Sequence, residues 1–456
     1  MRRVLGCALV VTALLAGSTV HVSASPGDTR SRAPGRAEVL DLFTNIQETG
    51  TAGRRTADIN WDVLKQLVCG QSAPPPQVRI SLGDGNSLVV SAGTSSTVLD
   101  DQGHQQRHWA ATDVKSSDVD AELTTGNSLC TGGNGPIDLA GDVSTSSTGY
   151  GISSIDDQPG KVSIRGMKEP ADEGDDQVPG SAPLSSDTSS GSASQGVLSL
   201  SESIGKVQSI GLKQPLVTEI TVLVASTRNF TMGAGGPRAA GERIRNEVYA
   251  LNDALARSGV PARFRLVGRL EVPYQEAEKI GVDLQRLSDP RPTNPYLQPV
   301  RTYRNTVRAD VVTLVTDTVY SPRILGVAQG TPRVIARGLP GSTSETNAYN
   351  VVTLNGFPKH TFQHEMGHLL AAFHDWVVEP RTNPYHPNNH GYCDPQNGFR
   401  DIMTYPKCCP NCPKVPYFSN PDLRYNGAPL GSTGGPRPSN LARVFSLTAP
   451  IVATYR

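Results

Sequence analysis

The chain is 456 residues long, enough for two or three domains that each bury a core. Its 42 Lys+Arg are cancelled by 42 Asp+Glu, so the surface has no net field to gather nucleic acid, and no nucleic-acid partner is expected.

In chain order, MRRVLGCALVVTALLAGSTVHVSASP comes first, with Arg2 and Arg3, an apolar run to Ala16, and small residues at Val22 and Ala24. This is the pattern of a cleaved secretory signal over residues 1–24. The run is shorter than the roughly 18 residues a membrane span needs, and no later segment is apolar enough. The expected mature chain is therefore extracellular and has no membrane partner. Cys7 leaves with the signal, and the remaining six of the seven cysteines suit three disulfides. Cys69 and Cys130 lie in the first half and Cys393, Cys408, Cys409 and Cys412 in the last quarter, which predicts two separately stapled domains. A Cys69–Cys130 bridge is favoured over a Cys69 thiolate that caps a metal in a precursor. Disulfides within CCPNC and its neighbours are favoured over a second metal site, with the pairing left open.

Residues 25–165 read as a β-rich region. QVRISLGDGNSLVVSAG alternates around a Gly-Asp-Gly-Asn turn, a hairpin signal, and DVDAEL and KVSIRG are further strand-like runs. Residues 166–213 read as a disordered, protease-accessible linker, because from Glu169 to Gly205 there are seven acids and no Lys, Arg or His among many Ser, Gly and Pro. From 214 to 456 the texture becomes α/β. EITVLVAST, ARFRLVGRLEV and DVVTLVTD read as strands, and AAGERIRNEVYALNDALARSG and YQEAEKIGVDLQRL as helices, an alternation that predicts a mainly parallel sheet covered by helices. RILGVAQGT, holding Gly326, Val327 and Ala328, reads as a short edge strand and AYNVVTL as another.

The chemistry lies in TFQHEMGHLLAAFHDW, Thr361 to Trp376. Residues four apart on a helix share a face, so His364 and His368 present two imidazoles to one point. Glu365 can then reach a water on a shared metal and act as general base. His374, six residues beyond His368, cannot continue that face, so the chain must turn and bring a third imidazole from another direction. Three nitrogen ligands with one open position suit a single catalytic Zn2+ better than oxygen-seeking magnesium or calcium. A glutamate ligand on a later helix is poorly served by Glu379, and an aspartate ligand, Asp394 or Asp401, is the remaining alternative to His374. His386 and His390, in a Pro/Asn-rich loop, are expected to be solvated.

HEMGHLLAAFHD resembles the extended zinc signature HExxHxxGxxHD of the metzincin proteases, and Asp375 after the third histidine resembles the reprolysin/adamalysin branch. DIMTYPKCCPNCPKVPYFSNPDLRYNGAPLG is similar to bacterial reprolysin-like and peptidyl-Asp metalloendopeptidases. The resemblance covers roughly Glu219 to Arg456. It implies a metzincin fold with a twisted sheet, an active-site helix and a Met-turn, in which Met403 forms a hydrophobic floor under the metal. It further implies peptide or protein substrates lying along the edge strand at Gly326, Val327 and Ala328, and a hydroxyl at Tyr405 near the reacting carbonyl, with a packed core tyrosine as the alternative. Arg424, in the stretch after the Met-turn, is the candidate partner for an acidic substrate side chain. The departure is Ala371, which stands where the family has a glycine in a left-handed turn. The whole predicts a secreted zinc metalloendopeptidase made as a precursor. A secreted zinc-binding adhesion module and an ordinary buried helix are the alternatives, and the oligomeric state is left open.

Overall fold

Period-two alternation in the first half of the chain produces mainly antiparallel strands, and buried β-branched runs in the second half produce mainly parallel ones. The computed structural model describes residues 39–51, 53–70, 77–90, 93–112, 120–132, 137–145, 148–168, 217–291, 294–320, 324–329, 348–383 and 386–456. The signal and nearly all of the linker read from the sequence lie outside these residues. Among the described residues no helix is long and apolar enough to cross a membrane.

The N-terminal half contains β1 (Val39–Asp41), β2 (Phe43–Glu48), β3 (Arg54–Ile59), α1 (Trp61–Cys69), β4 (Gln77–Ser81), β5 (Ser87–Val90), β6 (Thr94–Leu99), β7 (Gln105–Thr112), β8 (Asp120–Gly126), α2 (Ser128–Thr131), β9 (Leu139–Ser144), β10 (Thr148–Ile155) and β11 (Gln158–Lys168). An eight-stranded sheet runs β2-β3-β11-β10-β9-β8-β7-β6, and β1, β4 and β5 form a smaller one. The predicted hairpin is β4 and β5, which pair antiparallel with Val78 opposite Val90. Helix α1 is capped by Asn60, whose side chain accepts from the Val63 N–H. It buries Val63, Leu64, Leu67 and Val68 against a core that includes Trp109, Leu123, Ile152 and Ile164. Strand β11 continues through Lys168.

The second half contains β12 (Thr218–Thr227), α3 (Arg228–Ala234), α4 (Pro237–Arg257), β13 (Ala262–Val272), α5 (Ile280–Ser288), α6 (Gln298–Val307), β14 (Val311–Thr316), β15 (Gly326–Ala328), β16 (Tyr349–Thr353), a 3-10 turn (Leu354–Lys359), α7 (Thr361–Leu369), two hairpins, β17 (Cys393–Asp394) with β18 (Phe399–Arg400) and β19 (Asn420–Tyr425) with β20 (Ala428–Leu430), and α8 (Leu441–Val452). Its sheet runs β13-β12-β14-β16-β15. The first four strands are parallel, with Leu223 against Val312 and Leu314 against Val351. Strand β15 is the edge and is antiparallel, with Gly326 opposite Val352. A separate core, from Ile220 to Tyr455, packs the helices onto this sheet.

Among the elements that differ from the sequence reading, two have a clear physical cause. The helix expected from Tyr274 starts only at Ile280. Glu276, in the stretch before it, is drawn inward to accept from the Thr227 hydroxyl at 2.5 Å and the Asp317 N–H at 3.3 Å, a tertiary demand that outweighs local helix propensity. Helix α6 is not evident from the sequence, because its buried contacts come mainly from Val300 and from Arg304, whose guanidinium reaches the carbonyls of Ala309 and Asp310.

Candidate metal centre

Strand β16 leads through the 3-10 turn to His360, whose left-handed backbone (φ 58) starts α7. Every residue of α7 is buried, so its polar side chains must be matched inside the protein. The helix stops because Ala371 takes φ 76. The Ala371 N–H then donates to His368 O at 2.9 Å and the Ala372 N–H to Gly367 O at 3.0 Å, the bond pattern of a Schellman motif with Ala371 at its left-handed position. The turn expected at Ala371 is thus present, with alanine in the glycine conformation.

That turn and the one near Met403 orient the ligands. His368 Nδ1 lies 2.9 Å from Ala372 O and His364 Nδ1 lies 2.9 Å from Ile402 O. Since a carbonyl only accepts, Nδ1 carries the proton in both rings and Nε2 presents its lone pair. His374 is brought in by the returning chain. Phe373 N–H donates to Asn389 O, Asn389 Nδ2 donates to Ala371 O at 2.8 Å, and His390 Nδ1 lies 2.8 Å from His374 O. Glu379 stands behind the third ring, its Oε2 3.7 Å from His374 Nδ1.

The His368 Nε2 lies 3.1 Å from that of His364 and 3.0 Å from that of His374. Lone pairs that close repel one another unless a cation sits among them. A tetrahedral ion with metal–nitrogen bonds of about 2.0–2.1 Å holds its nitrogens about 3.3 Å apart, so the triad fits a zinc-sized ion. Burial also keeps the rings neutral, as a metal requires. His368 is pushed down to about 4, and His364 and His374 fall well below the usual value, first through burial and then through their nearness to His368. Among the described residues, His364, His368 and His374 are the group able to hold a metal ion.

Neither aspartate alternative joins the triad. Asp394 accepts from the N–H groups of Gln396 and Asn397 in its own turn. Asp401, fully buried and pushed well up by that burial, accepts from the Met403 N–H at 3.0 Å. Asp375 has a use that its motif position alone did not reveal. One carboxylate oxygen accepts from Val377 N–H at 2.9 Å and the other from Tyr405 N–H at 3.2 Å, tying the third-histidine turn to the Met403–Tyr405 turn.

Met403 lies under α7, where a Cβ on Gly367 would come within 2.5 Å of its sulfur. Tyr405 places its hydroxyl 3.2 Å from His374 Nε2. Glu365 is fully buried, and strand β15 passes directly over it: a Cβ on Gly326 would come within 2.5 Å of Glu365 Oε1. Val327 and Ala328 follow with buried side chains. The structure therefore brings His364, His368, His374, Glu365, Met403, Tyr405 and Gly326 together.

Two expectations, the solvation of His386 and of His390, are changed. His390 is fully buried, not solvated, because its ring stacks on Trp376 at 3.6 Å and lies between the carbonyls of His374 and Arg381. His386 is half-buried and pushed down by burial. Arg424 is exposed and donates to Gly427 O within its own hairpin. The cysteines pair as Cys69–Cys130, Cys393–Cys408 and Cys409–Cys412, so Cys69 is engaged in the favoured bridge.

The second half of the chain is similar to known peptidases. A model of metallo-peptidase family M12, reprolysin type, matches residues 217–419. The chain is similar to a peptidyl-Asp metalloendopeptidase of Stenotrophomonas maltophilia (strain R551-3), 32% identical over 241 residues that make up 52% of each chain. A peptidyl-Asp metalloendopeptidase of Xanthomonas campestris pv. campestris is 32% identical over 239 residues, again 52% of each. One of Pseudomonas fragi is 41% identical over 71 residues, 15% of this chain and 47% of that one. The match spans about half the length of the first two relatives. Residues 217–419 are thus similar to the reprolysin-like domain of metallo-peptidase family M12.

Proposed function

We propose that the chain is a secreted, zinc-dependent metalloendopeptidase made as a precursor. The observation that carries this is the meeting of three imidazoles, with His368 Nε2 about 3 Å from the Nε2 atoms of His364 and His374, next to a buried glutamate. Zinc, when bound, supplies Lewis-acid chemistry, acidifying a water and polarising the scissile carbonyl. Glu365 would take a proton from the attacking water, whose oxygen adds to the scissile carbonyl carbon, and would return it to the amine nitrogen as the C–N bond breaks. Tyr405, with its hydroxyl at the His374 corner of the triad, donates to the oxygen that becomes negative. Met403 is the apolar floor that holds α7 at fixed height, as a Met-turn does. The substrate backbone runs along β15, whose Gly326 leaves room for the Glu365 carboxylate directly beneath the strand. The name shared by the relatives points to cleavage beside aspartyl residues.

The test is Glu365→Gln, assayed on aspartate-containing peptides. Cleavage should vanish while about one zinc per chain remains, because the base goes and the ligands stay. Retention of more than about a tenth of the parent rate would sink the mechanism. His374→Ala should lose the metal too, and unchanged zinc affinity would move the third ligand elsewhere.

A further inference from the structure

Helix α4 is a member of the catalytic domain with an unusual burden. Ile244, Val248, Leu251 and Leu255 recur at helical spacing and pack into the core of that domain. The opposite side carries Glu242, Arg243, Arg245, Asn246 and Glu247, which would ordinarily face water. Instead every residue from Ala239 to Leu251 is buried, because strands β8, β9 and β10 of the N-terminal half lie across the polar side.

The covering is chemically matched. Asp142 of β9 receives Arg243 through both guanidinium nitrogens, at 2.7 and 2.9 Å, and Asn246 at 3.0 Å. Asp101 receives Arg245 at 3.0 Å and Arg269 at 2.9 Å. At the start of α4 the N-cap residue is Gly236, which has no side chain to offer. Asp156 of the N-terminal half takes that place, accepting from the Arg238 and Ala239 N–H groups at 2.9 Å each. Backbones also approach closely, since a Cβ on Gly149 of β10 would fall 2.6 Å from Pro358 O. From this seam a buried path leads to the metal helix: Arg243 lies 3.9 Å from Glu247, and Gln363, next to His364, donates to Glu247 at 3.2 Å.

We propose that the polar side of α4 is a docking surface whose partner is this chain's own N-terminal domain, and that the two remain a non-covalent pair after the segment between them is cut. The proposal rests on reading that segment as the site of maturation. Among the described residues no disulfide crosses the seam, since Cys69–Cys130 lies in one half and Cys393–Cys408 and Cys409–Cys412 in the other. What holds the halves is a set of hydrogen bonds comparable to the roughly ten of a stable protein–protein interface. Because the facing surfaces are charged, each is compatible with water on its own, so the pair can separate without exposing a large apolar face. It also weakens as salt screens its rim.

The experiment uses the full chain carrying Glu365→Gln, so that its outcome does not depend on peptidase activity. A foreign protease sequence is inserted between Gly196 and Val197 and cut to completion. Size-exclusion chromatography at about 1 μM and near 0.15 M salt should show both fragments eluting together. Asp142→Ala with Asp101→Ala should weaken the pair at least about 30-fold, and Gly149→Leu should do the same by steric clash. Separation of two folded parent fragments under these conditions overturns the proposal. So does co-elution that neither variant weakens.

Discussion

Ala371 sits in a conformation that costs an L-residue about 1–2 kcal/mol, inside a motif that favours glycine. Ala371→Gly should therefore raise stability by about 1 kcal/mol at most, since glycine also loses more chain entropy on folding. Thermal unfolding of the zinc-loaded protein is the measurement, and a clear loss of stability would contradict the left-handed turn. Tyr405 differs in kind, because its backbone and its hydroxyl have separate partners. The N–H is held by Asp375 whatever the side chain, while the hydroxyl faces His374. Tyr405→Phe should keep folding and zinc content and lower kcat about 10- to 1,000-fold if the hydroxyl stabilises the developing oxyanion. A normal kcat would leave the residue a packing element.

At the scale of elements, α7, the turn at Ala371 and the turn near Met403 form one unit around a histidine triad that could hold a metal ion. Ala372 and Ile402 supply the carbonyls that fix two of the rings. Burial has a measurable consequence for metal affinity. Three imidazoles with the ordinary pKa near 6.5 would lose zinc affinity roughly 50-fold between pH 7.5 and pH 6.0, because protons compete for each nitrogen. Here His368 is pushed down to about 4, and His364 and His374 also lie well below the usual value, all chiefly through burial. The folded site is then already deprotonated at pH 6.0, and zinc affinity should change less than about threefold over that interval. Competition with a chelator of known affinity at both pH values checks this. A steep loss would show that the rings charge freely in the metal-free protein.

At the scale of the whole molecule, two separate hydrophobic cores, one from Leu42 to Ile164 and one from Ile220 to Tyr455, meet across a polar seam. Such a seam is typical of domains that can move relative to one another, in contrast to an apolar obligate interface. The connecting sequence is acidic, rich in Ser and Gly, and lacks Lys, Arg and His from Glu169 to Gly205, which suits it for proteolytic attack. Sequencing the N-terminus of the active catalytic fragment should therefore find it between Glu169 and Lys213. An active chain that still begins near Ser25 would contradict processing at that segment.

The sequence by itself determined what depends on short-range periodicity. The four-residue spacing of His364 and His368, the adjacent Glu365, the need for a turn before His374, and the strands from Thr218, Val311 and Tyr349 could all be read from neighbours along the chain. Only the tertiary structure decided matters that depend on partners far away in sequence. Nothing local distinguishes the pairings possible among Cys393, Cys408, Cys409 and Cys412, nor tells that His390, in a loop of Pro and Asn, is buried against Trp376. The segment around Glu276 has helical composition, yet Thr227 and Asp317 hold it out of a helix. The charged side of α4 reads as a solvated face because Asp142, its main counterion, lies 101 residues before Arg243, and burial of a charge is legible only when its partner is in place.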